Sequence, residues 1–130
     1  MWRLILGLFL IAHGLVHAGI WLAPLPSGGD GVPFDPKHSW LINGLFGGDA
    51  MRVLSILLAA AAALGFVLGG AGLLAHQGWW RPVVIGAAVV SLVLIGLYFH
   101  PWLSAGLGLE LVILVALVWA NWPAQELVGP

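Results

Sequence analysis

The sequence predicts an all-α fold, namely an integral membrane four-helix bundle with a short interfacial helix in its first loop. Two observations predict it. Of the 130 residues, 62% are hydrophobic and only 7% are charged, and four apolar stretches are each long enough to cross a bilayer. A water-soluble domain of this size could not hide so much apolar surface. The bilayer is therefore the expected solvent.

The four apolar stretches are expected to be helices. A helix of about 20 residues crosses about 30 Å of hydrocarbon, and these stretches are apolar on all faces, unlike the alternating strands of a transmembrane barrel. We interpret the first stretch as a retained helix rather than a secretory signal, because it is too long and contains two histidines. Residues 1–130 form a single domain with predicted helices at about 2–23, 51–75, 82–100 and 103–122.

Four crossings place both termini on the same side of the membrane. The 8 tryptophans agree with this layout, because each lies near an end of an apolar stretch, as interfacial aromatic belts require. The long first connection is rich in proline and glycine, which is typical of an exported loop. We therefore expect a multi-pass protein of the bacterial inner membrane with both termini in the cytoplasm.

The connection at 24–50 changes character halfway along. Its first half, from Pro24 to Gly31, is typical of a turn followed by extended chain. In the second half Ser39 is a plausible N-cap, which predicts a short interfacial helix at about 39–46. Three residues of this part could close over the outer mouth of the bundle as a lid, although a solvated loop is the alternative: Lys37, His38 and Trp40.

A polar cluster is expected in the outer half of the bundle. Glu110 is the only acid inside any predicted crossing, and helical rise places it at nearly the same depth as His17. His13 lies one turn deeper on the same helix face as His17. Helical spacing also places Ser91 and Tyr98 on one face of the third predicted helix, and Ser55 and Ala59 on one face of the second. If every polar stripe faces inward, one space is surrounded by His13, His17, Ser55, Tyr98 and Glu110.

Two interpretations of this cluster remain open. Ionisable groups at such depth are costly and often mark function, yet His17 and Glu110 could also simply satisfy each other between helices. If there is room beside them, His13, His17 and Glu110 can occupy adjacent positions on a Zn, Cu, Mn or Fe ion. A haem is a weaker alternative, because both histidines project from one helix face. The absence of cysteine excludes thiolate ligands and thiol redox chemistry.

A pattern in the first helix supports a family resemblance. An arginine is followed by a glycine four residues later, a second glycine seven further on and a polar residue three after that, at Arg3, Gly7, Gly14 and His17. This pattern resembles the DoxX-like family of small four-helix bacterial membrane proteins, in which the last position is more often lysine. The resemblance implies a membrane partner of an oxidoreductase system, near quinone, and it transfers no catalytic residue.

Three functions compete. The first hypothesis is a non-catalytic subunit or accessory protein of a larger membrane complex, or a homo-oligomer, because faces of small residues such as Ala59–Ala63 favour helix association. The second is a ligand- or metal-binding bundle built on the polar cluster, and the third is proton-coupled transport by an oligomer. Whether the protein is an enzyme stays open, with a non-catalytic role favoured. Nucleic-acid binding is excluded, because 4 basic residues against 5 acidic ones provide no basic patch.

Overall fold

The computed structural model describes residues 1–23, 33–42 and 44–129. Within these ranges four apolar helices have the length and composition to cross a membrane, which confirms the predicted all-α membrane bundle. The fourth crossing is composite: a 3-10 turn at Pro101–Leu103 leads into an α-helix that ends in a π-helical turn at Val115–Trp119. The α-helices are α1 Trp2–Trp21, α2 Gly48–Leu74, α3 Trp80–Leu97, α4 Ser104–Leu114 and the short α5 Gln125–Val128.

The observed helix boundaries differ from the predicted ones by a few residues. Helix α2 begins at Gly48, so that Asp49 lies in its first turn, where a carboxylate interacts favourably with the helix dipole. The π-helical end of the fourth crossing is not predictable from the sequence pattern. It is held by Arg81, whose guanidinium donates hydrogen bonds to the carbonyls of Leu117 at 3.0 Å and Pro123 at 2.7 Å.

The short helix predicted at 39–46 is replaced by turns in the described residues. Ser39 does cap the chain there, since its hydroxyl accepts from the N–H groups of Leu41 and Ile42 at 3.3 and 3.4 Å. The same hydroxyl donates to the carbonyl of Leu97 at 2.6 Å, which binds this segment to the end of α3. The predicted turn and extended chain at 24–31 lie outside the described residues, as does Asn43.

Helix α2 packs between α1 and α3, and glycine permits a close approach on both sides. A Cβ at Gly14 of α1 would lie 2.7 Å from the carbonyl oxygen of Ala63, and one at Gly65 would lie 2.7 Å from the Cβ of Ala87 on α3. Such backbone proximity is how membrane helices gain van der Waals contact. Helix α4 packs chiefly against α3.

Both described ends of the chain lie at one end of the bundle, which we call the terminal end. There the rings of Trp2 and Trp122 meet at 6.3 Å. The opposite, loop end is closed by an aromatic plug of Trp21, Phe34 and Tyr98, with ring centroids 4.7 and 5.7 Å from that of Trp21. Trp21 is only 2% exposed, so it belongs to the core and not to an interfacial belt.

Gly14→Ala should destabilise the bundle by about 1–3 kcal/mol, because the added methyl group meets backbone that cannot rotate away. Gly19→Ala on the same helix is the matched control: nothing lies within 4 Å of its Cβ position, so it should be neutral or stabilising by up to about 1 kcal/mol. Thermal unfolding in detergent measures both. Equal stability of the two variants would contradict the proposed α1–α2 contact.

Candidate functional site

Four buried polar side chains from three helices form what we call the His/Ser/Glu cluster: His13 and His17 of α1, Ser91 of α3 and Glu110 of α4. The Oε1 atom of Glu110 lies 2.8 Å from His13 Nε2 and accepts a hydrogen bond from Ser91 Oγ at 2.7 Å. His17 Nε2 lies 2.6 Å from Ser91 Oγ. Ser91 and Glu110 are fully buried, and His17 and His13 are 6% and 9% exposed. The cluster thus joins α1, α3 and α4 inside the bundle.

Aromatic packing holds the two imidazoles in place. The His13 and His17 rings are neighbours because residues four apart share a helix face, and their centroids are 4.8 Å apart. Phe66 of α2 packs against both rings, at 4.6 Å from His13 and 5.5 Å from His17. Phe9 stacks on His13 from the same helix at 5.9 Å. Both histidines are therefore confined on several sides by apolar rings.

The hydrogen bonds constrain where protons reside. His17 Nδ1 must donate to the carbonyl of His13, 3.1 Å away, because a carbonyl only accepts. Ser91 has a single hydroxyl hydrogen. If the Ser91 hydroxyl donates to Glu110, His17 needs a second N–H to donate to Ser91 and is an imidazolium facing a carboxylate. If the hydroxyl donates instead to a neutral His17, Glu110 is protonated and donates to Ser91. The two arrangements hold the same number of protons and differ only in whether one of them resides on His17 or on Glu110, so each leaves the cluster with zero net charge.

The second oxygen of Glu110 is unusual. Oε2 is buried and has no hydrogen-bond partner among the described residues. A buried acceptor without a partner typically costs about 1–3 kcal/mol, and a native structure usually retains one for a reason such as catalysis or ion binding. Glu110 thus presents one satisfied oxygen and one oxygen free to bind.

Two residues predicted for this site lie elsewhere. Ser55 donates to the carbonyl of Arg52 at 2.7 Å, and the Tyr98 hydroxyl donates to the carbonyl of Met51. Both side chains therefore satisfy the first turns of α2 near the loop end. Ser91 shares a helix face with Tyr98 in the sequence pattern but was not among the predicted site residues. Ser91 lies at nearly the same depth in the membrane as Glu110, and this depth could have identified Ser91 as a site residue.

The three predicted lid residues lie at the loop end, separated from the cluster by the aromatic plug. Trp40 donates its indole N–H to the carbonyl of Gly96 at 2.7 Å. Lys37 Nζ lies 3.5 Å from Asp49 Oδ1, and His38 is exposed. None of these contacts places a lid residue beside the histidines.

Three members of the cluster together offer a set of metal-ligand donors. One donor atom each from His13, His17 and Glu110 lie within 4.8 Å of one another. Glu110 Oε1 is 2.8 Å from His13 Nε2 and 3.4 Å from His17 Nε2. Around an ion with bonds of about 2.0–2.2 Å, adjacent donors lie about 2.8–3.6 Å apart. The two separations from Glu110 match that range, and the two imidazole donors lie within 4.8 Å of each other.

Ser91→Ala should destabilise the protein by about 0.6–2 kcal/mol, because it removes the hydroxyl that links His17 to Glu110 in a medium without water. Ser104→Ala, at the exposed start of α4, is the matched control and should change stability by less than about 0.5 kcal/mol. Denaturant unfolding in detergent would compare them. A neutral Ser91→Ala would show that the hydrogen bonds through Ser91 contribute nothing to folding.

Comparisons of the chain with protein-family models, with curated proteins and with solved structures find no match. The DoxX-like resemblance therefore stays an expectation. The structure shows what its motif residues contact here: Gly7 and Gly14 pack against α2, Arg3 donates to His76 Nδ1 at 2.7 Å, and His17 belongs to the cluster.

Proposed function

We propose that this protein is a membrane-embedded bundle that binds one divalent transition-metal ion through His13, His17 and Glu110. The observation that carries the proposal is the convergence of three buried donor atoms within 4.8 Å. Two imidazoles with one carboxylate suit Zn, Mn, Fe, Ni or Cu rather than Mg or Ca, which prefer oxygen ligands. The two histidine nitrogens thus define the class of metal.

The surroundings of His17 support this assignment. Its Nδ1–H donates to a backbone carbonyl, so that in the neutral imidazole Nε2 is the atom with a free lone pair, and it is Nε2 that lies near Glu110. Metal-bound histidines commonly have their other ring nitrogen held in this way. Ser91 would then be an outer partner that orients Glu110 through the hydrogen bond from its hydroxyl.

Three protein ligands leave at least one coordination position for another molecule. Structural zinc sites usually have four protein ligands, whereas sites that act on a substrate keep a position open. Glu110 Oε2, buried without a partner among the described residues, is available to make Glu110 bidentate or to hydrogen-bond an exogenous ligand. The proposed site is therefore one for binding or chemistry and not for folding alone.

A second candidate is favoured by the proton arrangement. Glu110 and His17 can exchange one proton through Ser91, which is the unit that proton-linked transport requires. However, the described side chains around the cluster are apolar: Trp21 and Leu10 of α1 are buried on its loop side and its terminal side, and Phe66 packs against both histidine rings. A transport path through one chain would need polar groups at these positions, so metal binding is the better supported function.

Protein purified without a polyhistidine tag or chelator should contain close to one metal ion per chain by elemental analysis. His17→Ala and Glu110→Gln should weaken binding of added Co²⁺ by more than about 100-fold, and Ser91→Ala by about 10–100-fold as an outer partner. The visible Co²⁺ spectrum reports the binding. His38→Ala, which alters an exposed loop histidine, is the control and should bind as wild type does.

A wild type that is metal-free and gives no Co²⁺ spectrum would refute the metal site. Proton flux in liposomes that Glu110→Gln abolishes would then favour the second candidate. The accessory-subunit hypothesis concerns the outer helix faces and not this cluster. It remains a separate proposal, for which crosslinking in native membranes would identify partners.

For the membrane placement we propose the bacterial inner membrane with both termini in the cytoplasm. Because the chain has no cysteine, single-cysteine variants report sidedness directly. In intact cells an impermeant maleimide should label His38→Cys and should label Gln125→Cys only after lysis. The reverse labelling would invert the proposed orientation.

A further inference from the structure

An apolar groove opens between α1 and α4 at the terminal end of the bundle. It exists because α4 packs chiefly against α3 and thus stands apart from α1 there. All of its lining surface is apolar. Its walls and floor include Leu6 and Phe9 of α1, Val112 and Ala116 of the fourth crossing, Leu73 of α2 and Val84 of α3.

The groove ends beside the His/Ser/Glu cluster. Phe9, which lines it, stacks on His13 at 5.9 Å, and Leu109, which also lines it, immediately precedes Glu110. His13 is the most exposed member of the cluster at 9%. Towards the loop end the aromatic plug closes the bundle, with Trp21 2% and Tyr98 3% exposed. Among the described residues, the shortest route from the bilayer to the cluster therefore runs past Phe9.

We infer that this groove binds the apolar chain of a single-chain amphiphile dissolved in the bilayer, with a small uncharged hydroxyl head that reaches Glu110. Polarity complementarity argues for this occupant. A groove without polar lining atoms cannot stabilise a charged group, whereas it buries a hydrocarbon chain favourably. Behind the lining residues Phe9 and Leu109 lies the His/Ser/Glu cluster, in which Glu110 Oε2 has no partner among the described residues and would accept a hydrogen bond from a hydroxyl.

One lining residue bears on whether a ligand chain can fit. Ala116 leaves the groove open in its middle, because it has the smallest side chain among the lining residues and lies in the π-helical turn of the fourth crossing. A large side chain at this position would occupy the space of the ligand chain.

This inference deepens the proposed function. Only the contact between the head group and the metal ligands rests on the proposed metal site. Binding of the chain in the groove needs no metal. The experiment is therefore done on metal-free and on metal-loaded protein, so that labelling without metal binding, or metal binding without labelling, separates the two proposals.

The test is photocrosslinking of the full chain in liposomes with a long-chain primary alcohol that has a diazirine at its chain end. Labelling should saturate and be competed by the unlabelled alcohol. The label should map to residues lining the groove near Trp122 and Leu117. A second probe with the diazirine beside the hydroxyl should instead label near Phe9 and Leu109. A quaternary ammonium amphiphile of equal length should compete about tenfold less well.

Ala116→Phe should raise the half-saturating alcohol concentration by about tenfold. Ala61→Phe, at an exposed position on α2, is the matched control and should bind as wild type does. Val112→Trp, at a groove residue that is 64% exposed, tests the same point should Ala116→Phe not fold. Equal, unsaturable labelling of all lipid-facing residues would overturn the inference, as would crosslinks to a second copy of the chain within the groove.

Discussion

The hydrogen bonds to Glu110 connect parts of the bundle that otherwise touch little. Glu110 Oε1 is the point at which His13 of α1 and Ser91 of α3 meet α4. In hydrocarbon no water can replace these partners, so separation of α4 would leave a carboxyl group unsatisfied. The glycine contacts hold α1, α2 and α3 together, but α4 depends on its packing against α3, on Glu110 and on the hydrogen bonds from Arg81 at the end of the fourth crossing.

This division explains why the site and the groove occur side by side. Helix α4 is anchored through Glu110 and by Arg81, which donates to two carbonyls at the end of the fourth crossing. Between these two attachments α4 is free to stand apart from α1, and the apolar groove lies there. A cluster whose second carboxylate oxygen has no partner among the described residues, next to such a groove, would suit the ligand proposed to arrive from the bilayer. A bundle packed equally on all sides would provide no such route.

Much of the site was accessible from the sequence. The spacing of His13 and His17 places both on one face, and the depth of Glu110 places it beside them, because helical rise and the width of the bilayer convert residue number into position. Ser91 was missed, and Ser55 and Tyr98 were misplaced. Each of those side chains lies on a buried face, but the rotation of one helix against another decides which neighbour it meets. No pattern within a single helix contains that information.

The sequence by itself determined the solvent, the helix class, the number of crossings and the depth of the ionisable groups, because hydrophobicity and chain length alone govern these properties. Only the tertiary structure decided which donors converge on Glu110 and that Trp21 closes the loop end. The same holds for the turns at Ser39, which replaced the predicted short helix. Each of these outcomes depends on contacts between residues far apart in the chain, such as Ser39 with Leu97 and His17 with Ser91. Such contacts arise only when helices pack, since their geometry depends on side-chain volume and backbone approach across several elements at once.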